Sequence, residues 1–221
     1  METAGDVGTL TNRDVEQFNE RAETYDESFV GRHFHGQIQL RLLATGARLT
    51  PQPRAVLDVG CGTGSLLRVA RTKFPAARLC GVDPAERMLA VAGRTLSGVA
   101  GVQLVRGGAE ELPFEDAAFD LVVSTNSFSH WADQAAGIVE IGRVLAPDGY
   151  LVMTDPFAVG WLRPWAFLIR KRNHMRTRQE VESMLRDGGL EPVGWDRVFG
   201  LGPLTTFFAV TARKRSPGYS R

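Results

Sequence analysis

One stretch limits this chain more than any other: Val56-Leu57-Asp58-Val59-Gly60-Cys61-Gly62-Thr63-Gly64. A short aliphatic run passes directly into three alternating glycines, and a helix-forming segment, Ser65-Leu66-Leu67, follows. This is a buried strand handed through a tight turn to a helix. Glycines suit such a turn because the backbone bends sharply and a ligand must approach the main chain closely. The helix behind it presents free amides. Asp83 ends the next strand-like run, 19 residues beyond Gly64. In a doubly wound sheet that position falls beside the loop, where a carboxylate can accept hydrogen bonds from two ribose hydroxyls. A dinucleotide site would need its third glycine at position 65, which is Ser65. The pattern here is G-x-G-x-G with Asp58 two positions upstream, which suits a ligand carrying an ammonium group and no pyrophosphate. The spacing favours an adenosyl amino acid over NAD.

The segments around this loop repeat its rhythm. Strands are expected at Ala55–Val59, Arg78–Asp83, Val102–Arg106, Asp120–Ser124 and Tyr150–Thr154, the last opened by the turn Pro147-Asp148-Gly149. Helices are expected at about 65–74, 85–96 and 135–145. Short apolar strands alternating with helices indicate parallel βαβ units with helices on both faces. After a helix at 178–186 and Gly188-Gly189, two strand-like runs near 191–199 and 205–211 lack an intervening helix, so they must pair antiparallel. The expected fold class is α/β: a Rossmann-like, doubly wound sheet of seven strands, mostly parallel, with an antiparallel C-terminal hairpin. One domain is expected over 1–221. It divides into an N-terminal helical cap (1–50, with helices near 13–28 and 36–49), a cofactor-binding core (51–155), a lid-like insertion (156–177) and the C-terminal helix and hairpin (178–215).

Composition narrows the function classes. The chain has 221 residues, of which 43% are hydrophobic, enough for one sizeable core. With 26 Lys+Arg against 25 Asp+Glu, general attraction to nucleic acid or an anionic membrane is not expected. No apolar run is long enough for a membrane span, and the polar start shows no signal-peptide core. Cys61 and Cys80 sit in a glycine turn and a strand-like run, poor places for a structural disulfide, so a reducing, cytoplasmic setting is expected.

Five ordered segments then resemble the class I S-adenosylmethionine-dependent methyltransferases, in particular the small-molecule branch that includes ubiquinone and menaquinone biosynthesis C-methyltransferases. They are Val56–Gly64; Gly81-Val82-Asp83-Pro84-Ala85-Glu86-Arg87-Met88-Leu89; Gly107-Gly108-Ala109-Glu110-Glu111-Leu112-Pro113-Phe114; Phe119–Ser124; and Glu140–Gly149. Phe18-Asn19 and Tyr25-Asp26 extend the resemblance towards the start. It implies S-adenosylmethionine as cofactor and S-adenosylhomocysteine as product. It also implies that Asp58 and the backbone of Gly60, Gly62 and Gly64 hold the methionyl part, and that Asp83 holds the ribose. Pro84 and Met88 would flank the adenine, Ala109 would offer it a backbone amide with Glu110 alongside, and Tyr25 would close over the carboxylate end. Ser124 joins the expected cofactor contacts. The family commonly has Asp where this chain has Gly108, and glycine cannot make that residue's hydrogen bond to the adenine amino group. Either a somewhat weaker cofactor affinity is expected, or Glu110 or a water as the substitute.

In an open parallel sheet the acceptor site lies beyond the carboxyl ends of the strands, which places Ser124 to Trp131 at the substrate pocket. His130 is the first choice for a general base, since an unperturbed imidazole titrates near neutrality; the competing reading is a helix cap or a side chain packed beside Trp131. Asp155 is a weaker candidate. With four histidines and no cluster, no metal is expected. The segment 161–178, rich in aromatic and basic residues, reads as a lid, a weak membrane-surface contact or a core helix. The acceptor is expected to be a small molecule, with no nucleic-acid partner; the oligomeric state stays open. The competing functions are a cyclase or decarboxylase using the same cofactor pocket, a cofactor-binding regulatory module, and, disfavoured by the glycine spacing, an NAD oxidoreductase.

Overall fold

A computed structural model describes residues 14–25, 29–157, 159, 175–199 and 207–216, with the backbone alone at 29–35 and 199. The insertion read as a lid lies almost wholly outside these residues.

Each strand of the sheet's middle is a short aliphatic run that is buried from both sides, as parallel strands covered by helices must be. These are β1 (Ala55–Val59), β2 (Arg78–Asp83), β4 (Phe119–Thr125) and β5 (Leu145–Asp155). With β3 (Val102–Arg106), β6 (Leu190–Phe199) and β7 (Phe207–Lys214) they form one seven-stranded sheet in the order β3-β2-β1-β4-β5-β7-β6. The first five strands pair in parallel. β7 runs antiparallel between β5 and β6, so β6 points the same way as the first five. The alternation of side chains sorts the core into two layers. Leu57, Val122, Leu151 and Val210 pack against α5 (Gln134–Val144) and α6 (Arg178–Asp187). Val56, Leu79, Leu121 and Val152 pack against α2 (Phe29–Leu49), α3 (Ser65–Lys73) and α4 (Glu86–Thr95). No helix among the described residues is long and apolar enough to cross a membrane.

Boundaries differ from the sequence reading where local pattern says little. The first helix, α1 (14–21 among the described residues), gives way to turns through Tyr25, while α2 begins seven residues before Gly36. The turn at Pro147–Gly149 lies inside β5: the register against β4 steps from Phe119↔Leu145 to Leu121↔Tyr150. Asp148 takes a left-handed φ of 65° there, and its carboxylate accepts hydrogen bonds from Arg213 (2.8 Å) and Ser216 (2.6 Å).

The α5–α6 contact depends on a missing side chain. A Cβ on Gly142 would run into the backbone carbonyl of Gly188, which caps α6. In an isolated helix Gly→Ala gains about 1 kcal/mol. Here the backbone oxygen cannot swing aside, and overpacking costs about 1–3 kcal/mol. Gly142→Ala is therefore expected to lower stability despite its better helix propensity; an increase in the urea midpoint would contradict the packing described.

Candidate functional site

Strand order reverses between β1 and β4, and a cleft opens at their carboxyl ends, the usual ligand crevice of such sheets. With its open mouth included, the space free of protein atoms is about 1130 Å³. The loop after β1 is fixed to β2, since the amides of Gly60 and Cys61 both donate to the carbonyl of Val82, at 2.8 and 3.0 Å. All three loop glycines have positive φ, but space is needed for different reasons. A Cβ on Gly60 would collide with Ser127, and one on Gly64 would come within 2.9 Å of Leu96. Gly62 has nothing within 4 Å and faces the open cleft. Of the three, only Gly62 leaves room for a ligand at the position of its missing side chain. Gly64 lies outside the cleft wall and caps α3 without a side-chain hydrogen bond, so the amides of that helix start remain available.

Two acids stand at the strand ends. Asp83 is satisfied by the backbone: one carboxylate oxygen accepts from Gly62 N–H and the other from Ala85 N–H, both at 2.9 Å. Burial pushes its pKa up, and those two amides oppose the shift. Asp58 is equally enclosed, 2% exposed, and accepts no hydrogen bond from the described residues. Burial, reinforced by the charge of Asp83, raises its carboxyl to about 8. At neutral pH without a ligand it holds its proton, and a cationic group arriving in the cleft would convert it to the carboxylate.

Pro84, Met88, Ala109 and Tyr25 also line this cleft. Met88 packs with Ala22 and Ala85 in a small apolar cluster that Phe18 and Tyr25 cover. Glu110 lines the cleft too, but one of its oxygens already accepts from the amides of Ala132 (2.6 Å) and Asp133 (3.2 Å). Its other oxygen lies 2.5 Å from where a Cβ on Gly108 would be, so the Glu110 carboxylate fills the space that a larger residue 108 would take. Ser124 is fully buried behind the wall, bonded to Ser127 Oγ at 2.8 Å. Ser127 in turn donates to the carbonyl of Val59 (2.9 Å) and accepts from the indole of Trp131 (3.2 Å), joining the ends of β1 and β4.

His130 closes a 3-10 turn (Phe128–His130) and faces the cleft. Its Nδ1 lies 3.1 Å from Asp14 Oδ2 on α1, and the ring of Phe18 meets it edge-on at 5.0 Å. Behind it, Asp155 is buried and raised to about 6 by that burial, although Ser129 N–H donates to it at 3.3 Å. Further contacts hold this N-terminal segment across the cleft: Asn19 accepts from Arg87 N–H at 2.9 Å, and Glu23 pairs with Arg94 at 2.6 Å. Sequence reasoning missed Asp14, and it placed Ser127 only within the segment 124–131. Asp14 meets His130 across 116 positions, and no local pattern marks it.

The raised carboxyl of Asp58 carries a signed prediction. Its pKa in the fold exceeds the unfolded value of 3.8, so the unliganded protein loses stability as pH climbs from about 4 to about 8. Asp58→Asn removes the ionisation and should be more stable than wild type at pH 8–9. A difference of up to about 6 kcal/mol is expected, since the shift spans about four pKa units and each is worth about 1.4 kcal/mol. The difference should vanish below pH 4. Urea unfolding across pH measures it, and a pH-independent difference would show that Asp58 is not the group responsible.

Comparison with known proteins matches this geometry. Residues 57–153 match the family described as a methyltransferase domain. A demethylmenaquinone methyltransferase of Thermus thermophilus is 34% identical over 62% of this chain and 63% of its own length. A malonyl-[acyl-carrier protein] O-methyltransferase of Methylococcus capsulatus is 34% identical over 70% of this chain and 58% of its own. The chain thus spans about three fifths of these relatives. Among solved structures, a Burkholderia thailandensis 1,6-didemethyltoxoflavin-N1-methyltransferase, with its substrate and S-adenosylhomocysteine bound, superposes with a TM-score of 0.73. It is 18% identical, and the match covers 98% of this chain and 92% of that one. Residues 57–153 match a methyltransferase domain, and that domain is what the chain shares with these relatives.

Proposed function

We propose that this chain transfers the methyl group of S-adenosylmethionine to a nucleophilic atom of a small molecule. The observation that carries the reading is the pair of acids at the switch point: Asp83 held by backbone amides, and Asp58 buried beside it without a partner among the described residues. An ammonium group near Asp58 supplies the missing countercharge. Asp83 keeps lone pairs for ribose hydroxyls, and Gly62 leaves space for close approach. Pro84, Met88, Ala109 and Glu110 would surround the adenine, with Tyr25 above the methionyl end.

The cofactor, when bound, supplies a methyl group on a positively charged sulfur; the carbon–sulfur bond breaks with its electron pair as the bond to the acceptor forms, and the acceptor loses a proton. The chain's own task is to align the acceptor, exclude water and receive that proton. Orientation alone is worth roughly 7–11 kcal/mol. His130 is the proposed base. Asp14 on Nδ1 holds the ring and favours the tautomer whose Nε2 lone pair is free. The relatives' names cover demethylmenaquinone, malonyl-[acyl-carrier protein] and 1,6-didemethyltoxoflavin, chemically unlike acceptors, so they support methylation without choosing a substrate.

Calorimetry with S-adenosylmethionine and S-adenosylhomocysteine tests the cofactor first. Binding to wild type at pH 7 should release protons as Asp58 ionises, read from the dependence of the heat on the buffer's ionisation enthalpy. The release should disappear in Asp58→Asn. Asp83→Ala should weaken binding about 10- to 100-fold, the worth of a charge-assisted hydrogen bond. No binding by folded wild type would sink the reading.

On the first acceptor found by radiolabelled-methyl screening, His130→Gln should lower kcat about 10²- to 10⁴-fold with cofactor affinity retained. An unchanged kcat would remove the base. Cofactor binding with no S-adenosylhomocysteine release on any acceptor would favour the cyclase or decarboxylase reading instead.

A further inference from the structure

Among the described residues three buried side-chain atoms lack a hydrogen-bond partner: Arg71 Nε, Thr125 Oγ1 and Asn126 Oδ1. The first needs no special explanation. The terminal nitrogens of Arg71 already donate to the carbonyls of Phe74, Pro75, Ala77 and Gly101, and one leftover N–H remains. The other two are consecutive, at the carboxyl end of β4, and both residues line the cleft. Neither is explained by local structure. The backbone of Asn126 is locked by its own N–H to the carbonyl of Thr154 at 2.8 Å, and it takes a left-handed φ of 52° that a non-glycine residue adopts at a cost. The amide side chain is then left with its oxygen buried and unpaired, a rare condition that calls for a reason.

The place of these atoms relative to the cofactor residues supplies the reason. Asp58, Gly62, Asp83, Pro84 and Met88 all belong to the ends of β1 and β2 or the start of α4, on one side of the switch point. Thr125 and Asn126 lie on the β4 side, five and four residues before His130. An amide oxygen only accepts, so its complement is an O–H or N–H, while the threonine hydroxyl rotates to serve either way. We propose that Thr125 and Asn126 form the polar wall of the acceptor subsite and select molecules that carry a hydroxyl or an N–H at or beside the atom to be methylated. This rests on the methyl-transfer reading of the cleft and narrows its substrate class.

The test uses the full chain saturated with S-adenosylhomocysteine, followed by the side-chain amide resonance of Asn126 in ¹⁵N NMR. Catechol and aniline are the probes, and their capped counterparts, 1,2-dimethoxybenzene and N,N-dimethylaniline, are the controls. At least one uncapped probe should move the Asn126 resonance while its capped counterpart does not, and Thr125→Val, which keeps the shape and removes the hydroxyl, should weaken that response. Asn126→Gly, which preserves the left-handed backbone and removes the amide, should keep cofactor affinity within about threefold. In the unliganded protein Thr125→Val should not lower the melting temperature, because the hydroxyl it removes is unpaired. The proposal is overturned if no uncapped probe moves Asn126 more than its capped counterpart. It is also overturned if Asn126→Gly weakens S-adenosylmethionine binding tenfold or more, which would assign the amide to the cofactor. Failure of wild type to bind S-adenosylhomocysteine would instead strike the methyl-transfer reading on which the proposal stands, and the proposal with it.

Discussion

Two carboxyl groups buried side by side, Asp58 and Asp83, set the terms for the rest of the site. Neither can be ionised cheaply in that position, and the charge of Asp83 makes that of Asp58 more costly still. The fold resolves the conflict unequally. Asp83 receives two backbone amides, which draws the loop after β1 and the start of α4 onto the end of β2. Asp58 receives none from the described residues, and burial lifts its carboxyl to about 8. The shape of the loop and its readiness for a positively charged ligand thus follow from one electrostatic asymmetry.

The sheet was legible because its information is local. Short, mostly apolar runs between turn residues, such as Ala55–Val59, are strand-length and too short for helices, and glycine spacing distinguishes one ligand class from another at the first turn. The terminal pairing of β6 with β7 followed from the lack of room for a crossover helix. The step inside β5 was not legible, because Pro147-Asp148-Gly149 reads equally well as a turn before a strand or as an excursion within one. The left-handed Asp148, held by Arg213 and Ser216 from the far end of the chain, decides between them.

Within the cleft the legibility is uneven for the same reason. Asp58, Asp83 and Met88 stand in short motifs, and each lines the cleft; whether they bind the cofactor is for the calorimetry. Ser124 was read as a contact from its place at a strand end, but the pleat turns it into the core, and Ser127 at the turn faces the ends of β1 and β4 instead. Asp14 has no signature at all, and Thr125 has none beyond its place in the segment 124–131. One gains its place from helix docking across the cleft, and the other is notable only for a hydrogen bond it fails to make. Such properties arise from tertiary geometry, and residue type alone does not carry them.

The contact between Gly108 and Glu110 couples two neighbouring positions of the cleft wall. Glu110 uses one oxygen to tie the loop after β3 to the start of α5, and it rests the other in the space that residue 108 leaves empty. A side chain added at 108 would make the free end of Glu110 move aside, and a shortened residue 110 would release the amides of Ala132 and Asp133. The wall of the cleft here is thus set by two residues acting together, one through its reach and the other through the room it leaves.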